Sequence, residues 1–491
     1  MLKKEPKNNR KKKKTLSVEE MVPQDHILRD IDKAIDMSFI YEEVKNLYSS
    51  DNGGPATDPV VLFKIVMIQY TFGIRSMRQT IKEIEVNMAY RWYLGYDMIE
   101  AIPHFTTFGK NYTRRFAGSG IFEKIFERIL KEAVDCGFID ASEGFGDATH
   151  IKASANKKKA VNEAVKAEAK HYQEELMAEI QADREAHGKK PLKDDDDDDD
   201  PPAHNVKKST TDPDSGVFRK GEHKVDFAYT THVFCDKNNF VLCSDVSAGN
   251  VHDSVMFDGL YKTLIEKFPE VKGVALDGAY KTPWIMKQIF DSGRIAVTPY
   301  RRPMTKEGFF KKYDYVYDEY YDCVLCPQNQ ILTYSTTNRE GYREYKSDPK
   351  ICKDCPVRSQ CTNSKNCQKL VTRHVWEHYI EIAEDTRHSD YGQELFPERS
   401  RTIERVFADA KEKHFMRYTY LRGLVKLKMQ TTLTFACMNL KKLAKWKCFA
   451  NIFDFFALLF TPFAVLVYFS HLKYPCLMPH TGVCLQSEPL E

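Results

Sequence analysis

The sequence predicts an α/β protein: a mixed-sheet core with an all-α domain before it and a Cys-rich insertion within it. Three observations predict this. Apolar residues recur at helical spacing from about Pro23 to Val134; short alternating or apolar runs follow between Glu143 and Thr298; and six of the 13 cysteines fall between Cys323 and Cys367. A chain of 491 residues with 42% hydrophobic content can bury a sizeable core. The divisions expected are a basic arm over 1–22, a helical domain over 23–138, the core in two parts over 139–300 and 371–447, a Cys-rich insertion over 301–370, and an apolar tail over 448–491. The net charge of +3 is too small to diagnose a nucleic-acid partner.

The arm carries Lys3, Lys4, Lys7, Arg10 and the run Lys11 to Lys14, and no apolar signal core follows it. It therefore reads as the start of a cytoplasmic protein. Such an arm contacts phosphates without sequence preference or stays disordered. Next, Asp58-Pro59 supplies an N-cap and an N1 proline ahead of Val61, Leu62, Ile65, Val66 and Ile68, and Gly73 ends that helix. Ser76 and Gln79 form a capping box that opens a second helix through Ile81 and Ile84. Short turns between compact helices suit a helix-turn-helix-like DNA reader presenting Arg75, Arg78, Lys82, Arg91, Lys110, Arg114 and Arg115. A helical bundle used for dimerisation fits the same pattern.

In the core, Phe145, Asp147, Thr149 and Ile151 alternate along one strand face, so Asp147 projects among residues that should be covered and needs a partner. A charged helical stretch is expected over Ala160 to Arg184. The seven aspartates Asp194 to Asp200, followed by Pro201-Pro202, repel one another and read as a disordered acidic loop over about 188–210. Val225 to Asp236 and Phe240 to Val246, joined by Lys237-Asn-Asn239, read as a β-hairpin, followed by a helix near Ser254 to Phe268. The apolar run before Asp277-Gly278 is a buried strand ending at the carboxyl edge of a sheet, where open α/β folds place ligands. Taken singly, Asp-Gly is a turn. A further strand is expected at Ile295 to Thr298.

The stretch Arg401 to Lys411 reads as one amphipathic helix. Glu404 and Lys411 are about 700° apart at 100° per residue, so they share a face, with Arg401 a turn earlier; Ile403, Phe407 and Ala410 bury the other flank. Ordinary surface ion pairing gives the same face. A carboxylate flanked by cations also suits gripping a phosphate while holding a metal. Two acidic strand residues and one acidic helix residue can converge on a pair of ions about 3.5–4 Å apart, and hard oxygen ligands favour Mg²⁺ or Mn²⁺.

The cysteines are paired as Cys323-x2-Cys326 and Cys352-x2-Cys355, with 25 residues between the knuckles, then Cys361 and Cys367. Two such knuckles can hold one structural Zn²⁺ as a zinc-ribbon-like insertion, and Cys361 or Cys367 could replace a ligand; free or redox-active thiols are the alternative. After Glu404, the stripe Leu433, Ala436, Cys437, Leu440, Ala444 marks a core helix with Lys441, Lys442 and Lys445 outside it. Phe449 to Phe469 is long enough to span a membrane. Asp454 and Pro462 interrupt it and argue against insertion.

The order Gly146-Asp147-Ala-Thr-His-Ile, Asp212-Pro-Asp-Ser-Gly216, Gly249-Asn-Val-His-Asp-Ser254, Leu276-Asp277-Gly-Ala-Tyr280 and Ile403-Glu404-Arg-Val-Phe-Ala-Asp-Ala-Lys411 resembles bacterial insertion-sequence transposases of the Asp-Asp-Glu class. The resemblance runs from about Pro23 to about Trp446. It implies a ribonuclease-H-like core and an N-terminal helical DNA-binding region. It also implies Asp147, Asp277 and Glu404 as catalytic metal ligands, with Lys411 contacting DNA. Related transposases place a Tyr seven and an Arg four positions before the Glu, where this chain has Pro397 and Ser400; Arg399 or Arg401 would then supply the DNA contact. His252-Asp253 resembles a motif before a helix, and Asp253 also fits a simple N-cap. The implied activity is metal-dependent cleavage and strand transfer at element ends. Its partners would be double-stranded DNA and further copies of the chain, as a dimer or higher oligomer, in the nucleoid. A metal-dependent nuclease and an inactive DNA-binding protein are the alternatives.

Overall fold

The computed structural model describes residues 10–49, 56–156, 159–165, 172–192, 204–220, 224–302 and 304–459. The Asp194 to Asp200 run, Lys3, Lys4, Lys7 and the tail beyond Leu459 lie outside them.

Six strands make the central sheet: β1 (Glu143–Lys152), β4 (Gly216–Lys220), β5 (Lys224–Cys235), β6 (Val241–Ala248), β7 (Gly273–Leu276) and β8 (Ile295–Val297). Their order is β4-β5-β1-β7-β8, with β6 also on β5. The β5–β6 hairpin turns through Asn239, whose positive φ of 63° a short polar side chain tolerates. β1 is antiparallel to β5 but parallel to β7, which is parallel to β8. Parallel neighbours need crossovers. Helices Asp253–Lys267 and Pro283–Asp291 supply them. β1 can lie this close to both neighbours because Gly146 lacks a side chain: a Cβ there would come within 2.5 Å of Phe234 and 2.6 Å of Leu276.

The N-terminal helices follow the local rules. Pro59–Thr71 starts where the Asp58 carboxylate accepts from the Val60 and Val61 amides, and the chain leaves it through Gly73 at φ 63°. Met77–Val86 starts with the Ser76 hydroxyl accepting from Gln79 N and buries Ile81 and Ile84. Arg91 departs from expectation. It is buried, donating to the carbonyls of Glu85, Asp97 and Glu100, and so braces a turn instead of facing a ligand.

The long helix Leu424–Leu459 joins the two regions. Leu433, Ala436, Cys437, Leu440 and Ala444 are all buried, as their stripe predicts. On one side Cys437 Sγ donates to the Met67 carbonyl (3.7 Å); on another the Asn439 amide pairs with both backbone groups of Val241 in β6 (2.8 and 2.9 Å). One hydrophobic core therefore runs unbroken from the N-terminal helices to the sheet. Lys442 is not outside this helix as expected. It is half-buried, donates to Asn238 O (2.5 Å), and burial lowers its pKa. No helix among the described residues is long and apolar enough to cross a membrane.

The Asp212-Pro-Asp-Ser-Gly216 motif holds the start of that helix. Asp212 is fully buried, accepting from the Tyr229 hydroxyl (2.8 Å) and Gly423 N (3.0 Å), while Asp214 accepts from Leu424 N (2.9 Å). Gly216 in turn lies against Gly249-Asn250: a Cβ on it would meet the Asn250 side chain at 2.0 Å. Two of the motifs therefore pack on each other.

The stretch expected as one helix over Ala160 to Arg184 is instead a strand, β2 (Ala160–Val165), paired with β3 (His204–Ser209), and then helix Gln173–Ala186. The cysteine-bearing region forms its own antiparallel sheet of β9 (Val316–Asp318), β10 (Cys323–Leu325), β11 (Ile331–Thr337), β12 (Tyr342–Lys346) and β13 (Leu370–His374). Tyr315, Val324, Leu332 and Tyr345 fill its small core. Asp183 of helix Gln173–Ala186 fastens to it by an ion pair with Arg343 (2.6 Å).

Candidate active site

β1 and β7 run parallel with Gly146 opposite Leu276, so the next residue on each, Asp147 and Asp277, falls at the same sheet edge. Asp147 lies mid-strand and Asp277 directly follows its strand. The Asp147 side chain is 22% exposed and that of Asp277 is 52% exposed. Between them sits one cation. Arg399 Nη2 donates to Asp147 Oδ2 (2.9 Å), and its Nη1 lies 3.8 Å from Asp277 Oδ1. Arg399 is itself only 8% exposed at the side chain. Burial pushes the Asp147 carboxyl up to about 6; Arg399 and the Ala148 amide oppose that, and the charges of Asp277 and Asp253 add to it.

Asp253 is the residue that sequence reasoning undervalued. Its helix is capped by His252, whose Nδ1 accepts from Ser254 N, and this leaves Asp253 in the first turn with its carboxylate 3.8 Å from His232 Nδ1. His232 is buried in β5, and burial lowers its pKa to about 4. A neutral imidazole therefore faces Asp253, and its Nδ1 has no hydrogen-bond partner. Buried Tyr280 completes the wall. Its hydroxyl pKa is raised first by burial and then by the charges of Asp253, Asp147 and Asp277. The signal that could have found Asp253 was the His-Asp pair before a helix, which fits a cap equally well until the cap is seen to be the histidine.

Glu404 is in the first turn of helix Ile403–Lys413 and is exposed. Its backbone N–H donates to the Arg399 carbonyl (3.2 Å), which ties the start of that turn to the residue between the aspartates. Arg401 precedes the helix instead of lying on its face; its side chain is 78% exposed and paired with Glu398. Lys411 is in the last turn, half-buried. The structure thus brings Asp147, Asp277 and Arg399 together and leaves Arg401 at the surface. Among the described residues, no group of three His, Cys, Asp or Glu side chains is arranged to hold a metal ion.

Residues 16–114 match a family model described as a transposase domain (DUF772), and residues 325–444 match one described as a transposase DDE domain. Both matches indicate an insertion-sequence transposase of the Asp-Asp-Glu class. No curated protein and no solved structure matches it. The first matched span of the transposase covers the capped N-terminal helices; the second covers Cys326 through Glu404 and Lys411 into the long helix. Asp147 and Asp277 lie outside both spans, so their place rests on strand register and on Arg399.

The cysteines divide. Cys323 is buried in β10, and burial together with Asp318 and Asp322 raises its pKa, a setting that disfavours a thiolate. Cys326 and Cys361 both pack against the Tyr315 core. Cys361 accepts from the Tyr315 hydroxyl (3.1 Å), with the Cys352 and Cys326 thiols near enough to raise its pKa after burial.

Proposed function

We propose that the transposase cleaves phosphodiester bonds at the ends of its element and joins the freed 3′-hydroxyl to target DNA, with Asp147, Asp277 and Glu404 as the carboxylates that hold Mg²⁺ or Mn²⁺. The observation that carries this reading is the pair Asp147 and Asp277 at the edge of two adjacent parallel strands, already sharing a cation. An all-oxygen, partly exposed donor set that needs positive charge fits a hard divalent ion. The strand sequence β6-β5-β1-β7-β8, three antiparallel and then two parallel, supports a ribonuclease-H-like core, and the β9–β13 sheet supports an insertion within it. Bound there, the metal supplies a Lewis acid that makes an attacking oxygen nucleophilic and neutralises the leaving one. The chain's own part is to fix the carboxylates: Gly146 lets β1 sit between its neighbours, and the β1–β7 register aligns the aspartates. Lys411, about 10 Å along the helix axis from Glu404, would contact a phosphate near the scissile one. Arg75 in the turn between two N-terminal helices, with Arg78, Lys82, Lys110 and Arg114 on those helices and the ones that follow, would supply the grip on the phosphates of duplex DNA.

Replacing Asp147, Asp277 or Glu404 by Ala should abolish Mg²⁺-dependent cleavage of a labelled element end while leaving its binding in gel shifts near wild type. Near-normal cleavage by Asp277→Ala would sink the assignment. Joining of precut ends to a target separates a transposase from a plain nuclease.

A structural Zn²⁺ is the second part of the reading. The paired knuckles Cys323, Cys326, Cys352 and Cys355 would be its ligands, with Cys361 or Cys367 able to replace one of them. Purified, reduced protein should carry about one Zn²⁺ per chain, which Cys323→Ser or Cys352→Ser loses. Metal analysis that finds no zinc in the wild type counts against it.

A further inference from the structure

Two carboxylates at one sheet edge repel each other, and without a metal something must offset that repulsion. Arg399 does so here, from a fixed position. It ends helix Asp390–Glu398, its own N–H donates to Phe396 O, and its carbonyl accepts from Thr402 N (3.3 Å) and Glu404 N (3.2 Å). The guanidinium is nevertheless poorly matched to this place. Only one of its contacts to the aspartates is a hydrogen bond; the approach to Asp277 is 3.8 Å, and its Nε–H is buried with no acceptor. A planar fork of five donors that leaves one buried and unpaired is held by charge more than by geometry.

We propose that Arg399 is a positioning residue that stands in for the divalent cation, bridging Asp147 and Asp277 until the metal displaces it. A guanidinium and a divalent ion compete for the same two carboxylates, since like charges a few ångströms apart in a half-buried site repel strongly. Metal entry therefore moves Arg399 off the aspartates, and the residue that moves is the one whose carbonyl carries the first turn of the Glu404 helix. This inference rests on the aspartates being metal ligands.

The test is Mn²⁺ binding to the full chain without DNA, read from the electron paramagnetic resonance signal of free Mn²⁺ and from the melting temperature with and without the ion. Arg399→Gln should bind Mn²⁺ on the order of tenfold more tightly than wild type, melt lower without metal and gain more on adding it. Arg399→Lys keeps a charge but cannot bridge both carboxylates, so it should shift in the same direction, and it serves as the folded variant if Arg399→Gln is too unstable. Wild-type affinity in Arg399→Gln overturns the proposal. So does tighter binding in Arg399→Gln with unchanged binding in Arg399→Lys, which is the signature of plain charge repulsion. Asp277→Asn that binds Mn²⁺ as well as wild type removes the metal-ligand reading itself, and the proposal with it.

Discussion

Asp147 has a carboxyl pKa of about 6 in the fold, against an ordinary value just below 4. The folded chain thus holds that proton more tightly than the unfolded chain does. The stability this contributes is fully present below about pH 4 and is lost as pH rises through about 6. At pH 8 without divalent ions, Asp147→Asn, which imitates the protonated carboxyl and can still accept from Arg399, should be more stable than wild type by about 1–2 kcal/mol, and the advantage should vanish near pH 4. Urea titrations at the two pH values measure this; equal stability at pH 8 would remove the desolvated carboxylate from the account. At this scale the sequence was legible where a strand pattern fixed direction. Alternation put Asp147 on the covered face of β1, and the apolar run before Asp277 put it at a strand end. The choice between Arg399 and Arg401 was not legible, because helical spacing extended back past Ile403 puts Arg401 on the Glu404 face. In the fold the helix starts at Ile403, and Arg399, two residues further back, turns inward.

Capping signals made several elements readable. Asp58-Pro59, Ser76 and the Asn239 turn act through neighbours within four residues, so the sequence contains the whole interaction. β2 was not readable because its Ala and Glu residues suit a helix, and the strand that pairs with it lies beyond the acidic run. The joint between the N-terminal helices and the Glu404 helix was equally hidden. There the buried His414 Nδ1–H donates to the Tyr70 carbonyl (2.8 Å), and Gly73, at φ 63°, leaves room for the Lys413 carbonyl, which a Cβ would meet at 2.6 Å. Gly73→Ala should cost about 2–3 kcal/mol, since it adds left-handed strain to a collision with backbone. It should also weaken cleavage more than end-binding, because the joint sets where the Glu404 helix sits. A loss below about 0.5 kcal/mol in urea melts would show that the joint is loose. His414 adds an acid limit. Burial lowers its pKa to about 4, so its contribution is present above about pH 6.5 and is lost as pH falls through about 4.

At the scale of the whole molecule one hydrophobic core joins the two regions, closed by the helix that begins at Leu424. A chain cut just before Leu424 loses the side chains that fill the space between Met67 and β6, so it should show no cooperative melting transition and should not bind element ends. A folded, DNA-binding fragment over 23–138 would contradict this. The sequence revealed that helix's apolar stripe but not which surfaces it separates, since the stripe gives a face and not a partner. This late closure also bears on the gene. Copies of a mobile element decay by frameshifts and premature stops, and a damaged copy that still made a folded DNA-binding half could occupy element ends and silence its intact relatives. On the expectation above, a truncation upstream of Leu424 should remove the keystone and leave a product open to proteolysis. Decayed copies of such an element would then not interfere with working ones.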